Sequence, residues 1–254
     1  MVPTKTAGEI SDMRAAGAIL AAVLKELAAE TRIGVSLREL DAKAYRLIRE
    51  RGAEPAFKGY QPYGAARPFP TTLCASLNDV VVHGVPTERI LRNGDVIKLD
   101  LGVRKNGYYA DGALTLTLGV VPPAVHALVR ATAGALWAGI RNCRNGRTLG
   151  DIGAAMYAVV SRAGFHVVRG LTGHGIGRAL HEEPSVHTTG KPGAGMKIKT
   201  GHVFALEVMT GLTSGELVQQ KDESYAIADG SIAAHFEHTV LATEHGPEIL
   251  TMAD

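Results

Sequence analysis

Four carboxylates stand inside apolar stretches of this sequence, where an isolated acid is costly. Asp100 and Asp111 interrupt VIKLDLGVRKNGYYADGALTLTL (96–118), Glu207 sits between Leu206 and Val208 in HVFALEVMTGL (202–212), and Glu237 sits inside AAHFEHTVLAT (233–243). A buried carboxylate needs a partner or a cation. Each one alone fits an ordinary paired core group; the four together are harder to explain separately. Basic residues are scarce around them: Lys98 is the only one in the first apolar strand, and none lies in 202–212. A pair of divalent cations would neutralise the cluster. His174 and His181 lie in the glycine-rich run GHGIGRALH. They are seven residues apart, and an unbroken strand would turn them to opposite faces. Gly173, Gly175 and Gly177 permit a break that could bring both to one cavity. Oxygen-rich donors with one or two imidazoles suit manganese, iron, cobalt or zinc. A structural calcium site fits the histidines poorly, because calcium prefers oxygen donors. Two metals sharing bridging carboxylates would hold and acidify a water for attack on a carbonyl or phosphoryl group. His126, His166, His187, His202 and His245 carry no such signal.

The elements that must position these residues can be read from period and punctuation. Residues 96–118 predict a hairpin: Ile97, Leu99, Leu101 and Val103 alternate on one strand, and Leu114, Leu116 and Leu118 on the other. Asn106-Gly107 is its turn, since both positions need φ > 0. With those two residues as the loop, Asp100 faces Ala113, and Asp111 is a diagonal neighbour on the same face. Thr6 to about Glu30 predicts a helix capped by Thr6 with Glu9; a second starts at Ser36 with Glu39 and stops near Gly52. Residues 55–72 carry four prolines and four aromatics and predict a loop. Residues 73–85 are strand-like, with an Asn-Asp turn. Helices are expected again over 122–141 and 148–163, then strands.

The second half repeats the first. At an offset of 112, Arg32, Gly34, Leu37, Tyr45 and Gly52 fall on Arg144, Gly146, Leu149, Tyr157 and Gly164. The order of elements matches too, which favours duplication. Such halves would pack as one domain around a shared antiparallel sheet with helices outside, an α+β class, and a site between them would draw residues from both.

Composition sets outer limits. The chain has 254 residues, a net charge of +2, 20% charged and 46% hydrophobic residues, as an ordinary soluble globular protein has. Nothing in that balance points to nucleic-acid or membrane-surface binding. No apolar run approaches the roughly 18 residues of a membrane span. The first residues lack the apolar core of a signal peptide. Two cysteines form no disulfide framework, and a cytoplasmic location is expected.

SLNDVVVHGVP (76–86), GDVIKLDLGVRKNGYYADG (94–112), GHGIGRALHEEPSV (173–186), FALEV (204–208) and FEHTV (236–240) resemble the methionine aminopeptidase family, of the creatinase-like "pita-bread" fold. The resemblance runs in order through the whole chain. It implies a single domain, 1–254, of two pseudo-symmetric halves, roughly 1–120 and 121–254, sharing a curved antiparallel sheet. It implies a dinuclear metallohydrolase that removes the initiator methionine before a small second residue, through a metal-bridging hydroxide. Asp100, Asp111, His174, Glu207 and Glu237 match the family's metal ligands, with Asp111 and Glu237 bridging. His83 matches a histidine that contacts the substrate's N-terminal nitrogen or leaving amide, and His181 one that stabilises the oxyanion. Glu207 matches the residue that takes the proton from water. Tyr60, Tyr63 and Cys74 match positions lining the methionine side-chain pocket, and Leu180 stands where an aromatic usually does. The family further implies nascent-peptide substrates met at the ribosome, a monomer, and the short bacterial type I form.

Several positions depart from the family pattern. Val208 replaces a proline, His235 replaces a glutamine, and Gly102 and Gly112 replace small hydroxyl residues; the 64–72 loop is longer. No ligand is lost, so metal affinity and side-chain selectivity are the properties open to change, with Leu180 expected to loosen the methionine pocket. Two readings compete: an Xaa-Pro aminopeptidase or prolidase relative, sharing fold and ligands, and a non-catalytic binding module of the same fold.

Overall fold

The computed structural model describes residues 2–61 and 64–252. In chain order its elements are α1 (Ala7–Glu30), α2 (Leu37–Glu50), β1 (Glu54–Pro55), β2 (Leu73–Leu77), β3 (Val80–Val82), β4 (Val96–Lys105), β5 (Tyr108–Thr117), α3 (Pro123–Asn142), α4 (Leu149–Arg162), β6 (His166–Val167), β7 (Gly173–Gly175), β8 (Glu182–Val186), β9 (Val203–Gly211), β10 (Leu217–Gln219), β11 (Tyr225–Ile227), β12 (Ala233–Thr243) and β13 (Gly246–Ile249).

Local sequence starts three of the helices in the same way. Thr6, Ser36 and Thr148 each accept from the backbone N–H three residues on, and Glu9, Glu39 and Asp151 accept in return from the cap backbone. Each reciprocal pair satisfies two donors that a helix start leaves free. Helix α3 has no side-chain cap and begins on prolines instead. The predicted hairpin forms in the predicted register. Asn106 and Gly107 both take positive φ, and Asp100 lies opposite Ala113.

Ten strands make one antiparallel sheet in the order β1-β4-β5-β12-β9-β7-β8, with β2 also on β4, β13 on β12 and β6 on β9. Helix α1 lies on β4 and β5, and α3 on β9 and β12. Alternation then sorts each strand. Ile97, Leu99 and Leu101 turn toward Leu20, Leu27, Leu40 and Ile48 in one core. Phe204, Leu206 and Val208 turn toward Leu136, Ile140, Met156 and Val160 in another. The residues between them, acids included, face the side of the sheet away from the helices.

Equivalent contacts recur across the chain. Gly34 N–H donates to Leu91 O and Gly146 N–H to Ile198 O; Leu37 N–H donates to Arg89 O and Leu149 N–H to Met196 O. Gly34 and Gly146 both take φ values that only glycine adopts freely (95° and 84°).

One element of the architecture differs from the single sheet expected. Strand β3 leaves the main sheet after Asn78, whose φ is 52°, and pairs with β11, which pairs in turn with β10, in a separate three-stranded sheet. The Asn-Asp turn was legible; the direction in which it sends the chain depends on a partner strand about 145 residues downstream, Tyr225 pairing with Val82.

Candidate metal centre and active site

Register places the acids in one row. Across five neighbouring strands, Cys74 pairs with Asp100, Asp100 with Ala113, Ala113 with Glu237, and Glu237 with Glu207. Asp111 is two residues along β5 from Ala113, and His174 on β7 pairs with Ala205, two residues from Glu207. Glu237 and Glu207 directly opposite each other would repel as bare anions. Among the described residues, no lysine or arginine forms an ion pair with Asp100, Asp111, Glu207 or Glu237. Lys98 is fully buried on the same strand as Asp100, yet its ammonium donates to Asn78 O at 2.7 Å.

Donor atoms of Asp100, Asp111 and Glu237 lie within 4.8 Å of one another, as do those of His174, Glu207 and Glu237, and those of Asp111, His174 and His181. Glu237 belongs to two of these groups. Asp100 Oδ1 and Glu237 Oε1 are buried without a hydrogen-bond partner. A carboxylate oxygen left so costs several kcal/mol in the interior, on the order of 1–3 or more. The donors therefore fit divalent cations: hard oxygens, one or two imidazoles, and unpaired anionic atoms aimed at a common space.

The acids respond to burial as isolated anions do. Burial pushes Asp100 up to about 7. It pushes Asp111 and Glu237 well above the carboxylate range, with repulsion from the other acids adding to it. At Glu207 burial also favours the neutral acid, but the neighbouring imidazoles of His235, His174 and His83 outweigh it and hold the carboxyl below its ordinary range. Burial drives the Cys74 thiol well up, with Asp100 and Asp111 adding to it, so this sulfur is an apolar wall and no nucleophile.

The two remaining predicted histidines frame the acids. The glycine break works as expected, and the His174 and His181 rings meet edge to face with centroids 4.3 Å apart. Burial and then His174 bring His181 down to about 4. Its Nδ1 lies 2.7 Å from the Tyr60 hydroxyl. A neutral imidazole that accepts from a phenol at Nδ1 carries its proton on Nε2. His83 follows β3 with a left-handed backbone, φ 60°, uncommon for a residue with a side chain. Its ring packs edge-on against Tyr225, centroids 5.8 Å apart.

A cavity of about 830 Å³ opens over this row, and Tyr60, Cys74, His83, Leu180 and His181 line it with the acids. Tyr63 lies outside the described residues. Leu180 and Cys74 share an apolar cluster with Phe57, Tyr60 and Phe69, and the two phenylalanine rings pack edge to face. Phe57, Phe69, Met209 and Tyr225 also line the cavity and were not read from the sequence. Phe57 and Phe69 sit in a loop without periodicity, and Tyr225 reaches the site only through long-range pairing. At the mouth Arg67 Nε lies 3.5 Å from Glu223 Oε1, joining the 64–72 loop to the turn after β10.

The chain is similar to known proteins over nearly its whole length. Residues 11–244 match metallopeptidase family M24. Methionine aminopeptidase 1 of Bacillus subtilis (strain 168) is 38% identical over 252 residues, covering 99% of each chain. Methionine aminopeptidase 1 of Mycobacterium tuberculosis (strain CDC 1551 / Oshkosh) is 40% identical over 260 residues, covering 99% of this chain and 96% of its own. The crystal structure of methionine aminopeptidase from Thermotoga maritima superposes with a TM-score of 0.95 at 35% identity, covering 99% of this chain and all of its own.

Proposed function

The chain belongs to metallopeptidase family M24, and on that premise we propose how its residues carry out the reaction. It is a metal-dependent aminopeptidase that removes N-terminal methionine. Its fold is the pita-bread fold of the methionine aminopeptidases. The observation that carries the detailed reading is the row of acids in register, with unpaired oxygens converging from strands of both halves.

Asp100, Asp111, His174, Glu207 and Glu237 would hold two divalent ions; the presence of Glu237 in two donor groups supports that assignment. Such ions, when bound, polarise a carbonyl and bring the pKa of water toward neutrality. The chain's own residues do the rest. Glu207, held below the ordinary carboxylate range, is ionised and accepts the proton that the attacking water gives up. His181 is neutral near pH 7, and with Tyr60 on Nδ1 it presents Nε2–H to the scissile carbonyl oxygen as negative charge develops there. His83, braced by Tyr225, contacts the substrate's N-terminal nitrogen or the leaving amide. Tyr60, Cys74 and Leu180, with Phe57 and Phe69, supply an apolar wall for the methionine side chain.

The substrates are nascent chains with a small second residue, met by a monomer at the ribosome in the cytoplasm. Residues 1–254 act as one domain of two duplicated halves, 1–120 and 121–254. The recurring caps and the repeated Gly34 and Gly146 contacts support that reading.

The test is hydrolysis of a Met-Gly-Met-Met-type peptide by metal-stripped protein, titrated in parallel with manganese, cobalt, iron and zinc. Activity is expected on metal addition and is expected to vanish in Asp111→Asn. Folded protein inactive with every metal would overturn the reading.

A further inference from the structure

Among the described residues, His235 is a buried polar side chain at the metal centre with no assigned work. It is 1% exposed, and neither ring nitrogen has a hydrogen-bond partner among the described residues. An imidazole so placed loses the full hydration of two polar atoms. It sits two residues before Glu237 on β12, on the same face of the strand. Its Nε2 lies 3.2 Å from Glu207 Oε2. That is hydrogen-bonding distance, but the N–H does not point along the line to the oxygen. The backbone of His235 leaves little freedom, because its N–H donates to Thr115 Oγ1 at 2.9 Å and its carbonyl accepts from the same hydroxyl at 2.6 Å.

We propose that His235 is a positioning residue for Glu207, donating Nε2–H to Oε2 so that the other carboxylate oxygen is presented to the metal centre. The assignment rests on the metal centre described above. Carboxylate ligands are commonly held by such outer partners, whose loss costs roughly 10–100-fold in metal affinity or activity. With Oε2 engaged by the imidazole, one oxygen of Glu207 is left facing His174 and Glu237, the residues whose donor atoms group with it. Nδ1, the acceptor of that tautomer, is not required by the assignment.

Two amide substitutions separate the nitrogens. In His235→Gln the amide nitrogen can take the place of Nε2; in His235→Asn it can reach only the place of Nδ1. The measurement is Mn²⁺ affinity by calorimetry on metal-stripped protein, with circular dichroism to verify folding. His235→Gln is expected to bind within about threefold of wild type, and His235→Asn on the order of tenfold more weakly or worse. Wild-type affinity in His235→Asn, or an equal loss in both variants, overturns the proposal; equal loss would mean that the imidazole lone pair acts instead of the N–H. Should His235→Asn fail to fold, histidine ¹⁵N shifts of zinc-loaded wild type decide the matter. An Nε2–H tautomer at His235 is expected, and Nδ1–H overturns the assignment. Peptide hydrolysis is scored separately: wild type that binds Mn²⁺ but cleaves no peptide would overturn the aminopeptidase mechanism while leaving the affinities to judge His235.

Discussion

In the metal-free protein three acids at the centre hold their protons late, and this gives pH-dependent stability a definite sign. An acid whose folded value is raised lends stability that is full below its unfolded pKa, about 4, and is lost as pH climbs toward the folded value. That value is about 7 for Asp100, and Asp111 and Glu237 are raised in the same direction. His181 and His238, both lowered to about 4, act oppositely: their contribution is full above about 6.5 and is lost as pH falls. The two sets oppose each other below pH 6.5. Above it the histidines are silent. Lys98, lowered to about 7, restores stability as pH rises from 7 toward 10.5. The raised acids outnumber the one lysine, so metal-free protein loses stability as pH climbs toward their folded values. The Tm of metal-free protein should therefore fall as pH rises through 7. Saturating Mn²⁺ should abolish that slope, because the cations hold the acids ionised. An equally steep fall in loaded protein would contradict this account. Leu180, also at this scale, should set selectivity. Leu180→Phe restores an aromatic wall beside Phe57 and Tyr60. The ratio of kcat/KM for Met- over Leu-initiated peptides should rise about three- to tenfold, within the ~1–3 kcal/mol that side-chain fit in an apolar pocket can yield. An unchanged ratio would show that position 180 does not shape the pocket.

Element-scale features explain why so much of the site could be read in advance. The β4–β5 hairpin was legible because alternation, an Asn-Gly turn and two misplaced acids all sit within one short stretch. The helix starts were legible because a capping box is local. Phe57, Phe69 and Tyr225 were not, since nothing in a loop or a three-residue strand marks which distant ring it will meet. Gly102 shows the same division. Its glycine was visible as a departure, but the cause is a contact: a Cβ there would come within 2.6 Å of Phe57 Cε1 and 2.9 Å of Ala56 Cβ. Real Cβ atoms do not approach so closely, and Phe57 is packed against Phe69. Gly102→Ser, although it restores a residue type common in the family, should therefore cost about 1–3 kcal/mol by overpacking and displace Phe57 from the pocket wall. The expected readout is a raised KM for methionyl peptides together with a lower Tm; wild-type values of both would show that the loop gives way freely.

At the scale of the whole molecule, the proposed metal binding depends on a seam. Asp100 and Asp111 come from the first half, and His174, Glu207 and Glu237 from the second. Within the main sheet the two halves meet where β5 pairs with β12, and that ladder is short: Glu237 with Ala113 and His238 with Gly112. Threonine hydroxyls extend it at both ends. Thr115 Oγ1 donates to His235 O and accepts from His235 N–H; Thr239 Oγ1 donates to Asp111 O at 2.8 Å and accepts from Asp111 N–H at 2.9 Å. Each hydroxyl thus takes the place of a ladder rung, with Asp111 clamped at its own backbone and Glu237 between the two clamps. Thr239→Val keeps shape and removes the hydroxyl. Both backbone groups of Asp111 then lose a buried partner, at a cost of about 1–3 kcal/mol each. The metal-free Tm should drop by roughly 5–10 °C. The consequence that distinguishes a seam from a mere core hydrogen bond lies in the cations. To share ions as proposed, Asp111 and Glu237 would need a fixed separation across the halves, so Mn²⁺ affinity should weaken along with stability. Thr132→Val removes a buried hydroxyl contact of similar kind, 2.6 Å to Thr210, within the second half and away from the acids. It should lower Tm and leave Mn²⁺ affinity within about twofold of wild type. Equal loss of affinity in both variants would mean that stability alone governs metal binding, and that the seam has no special part in it.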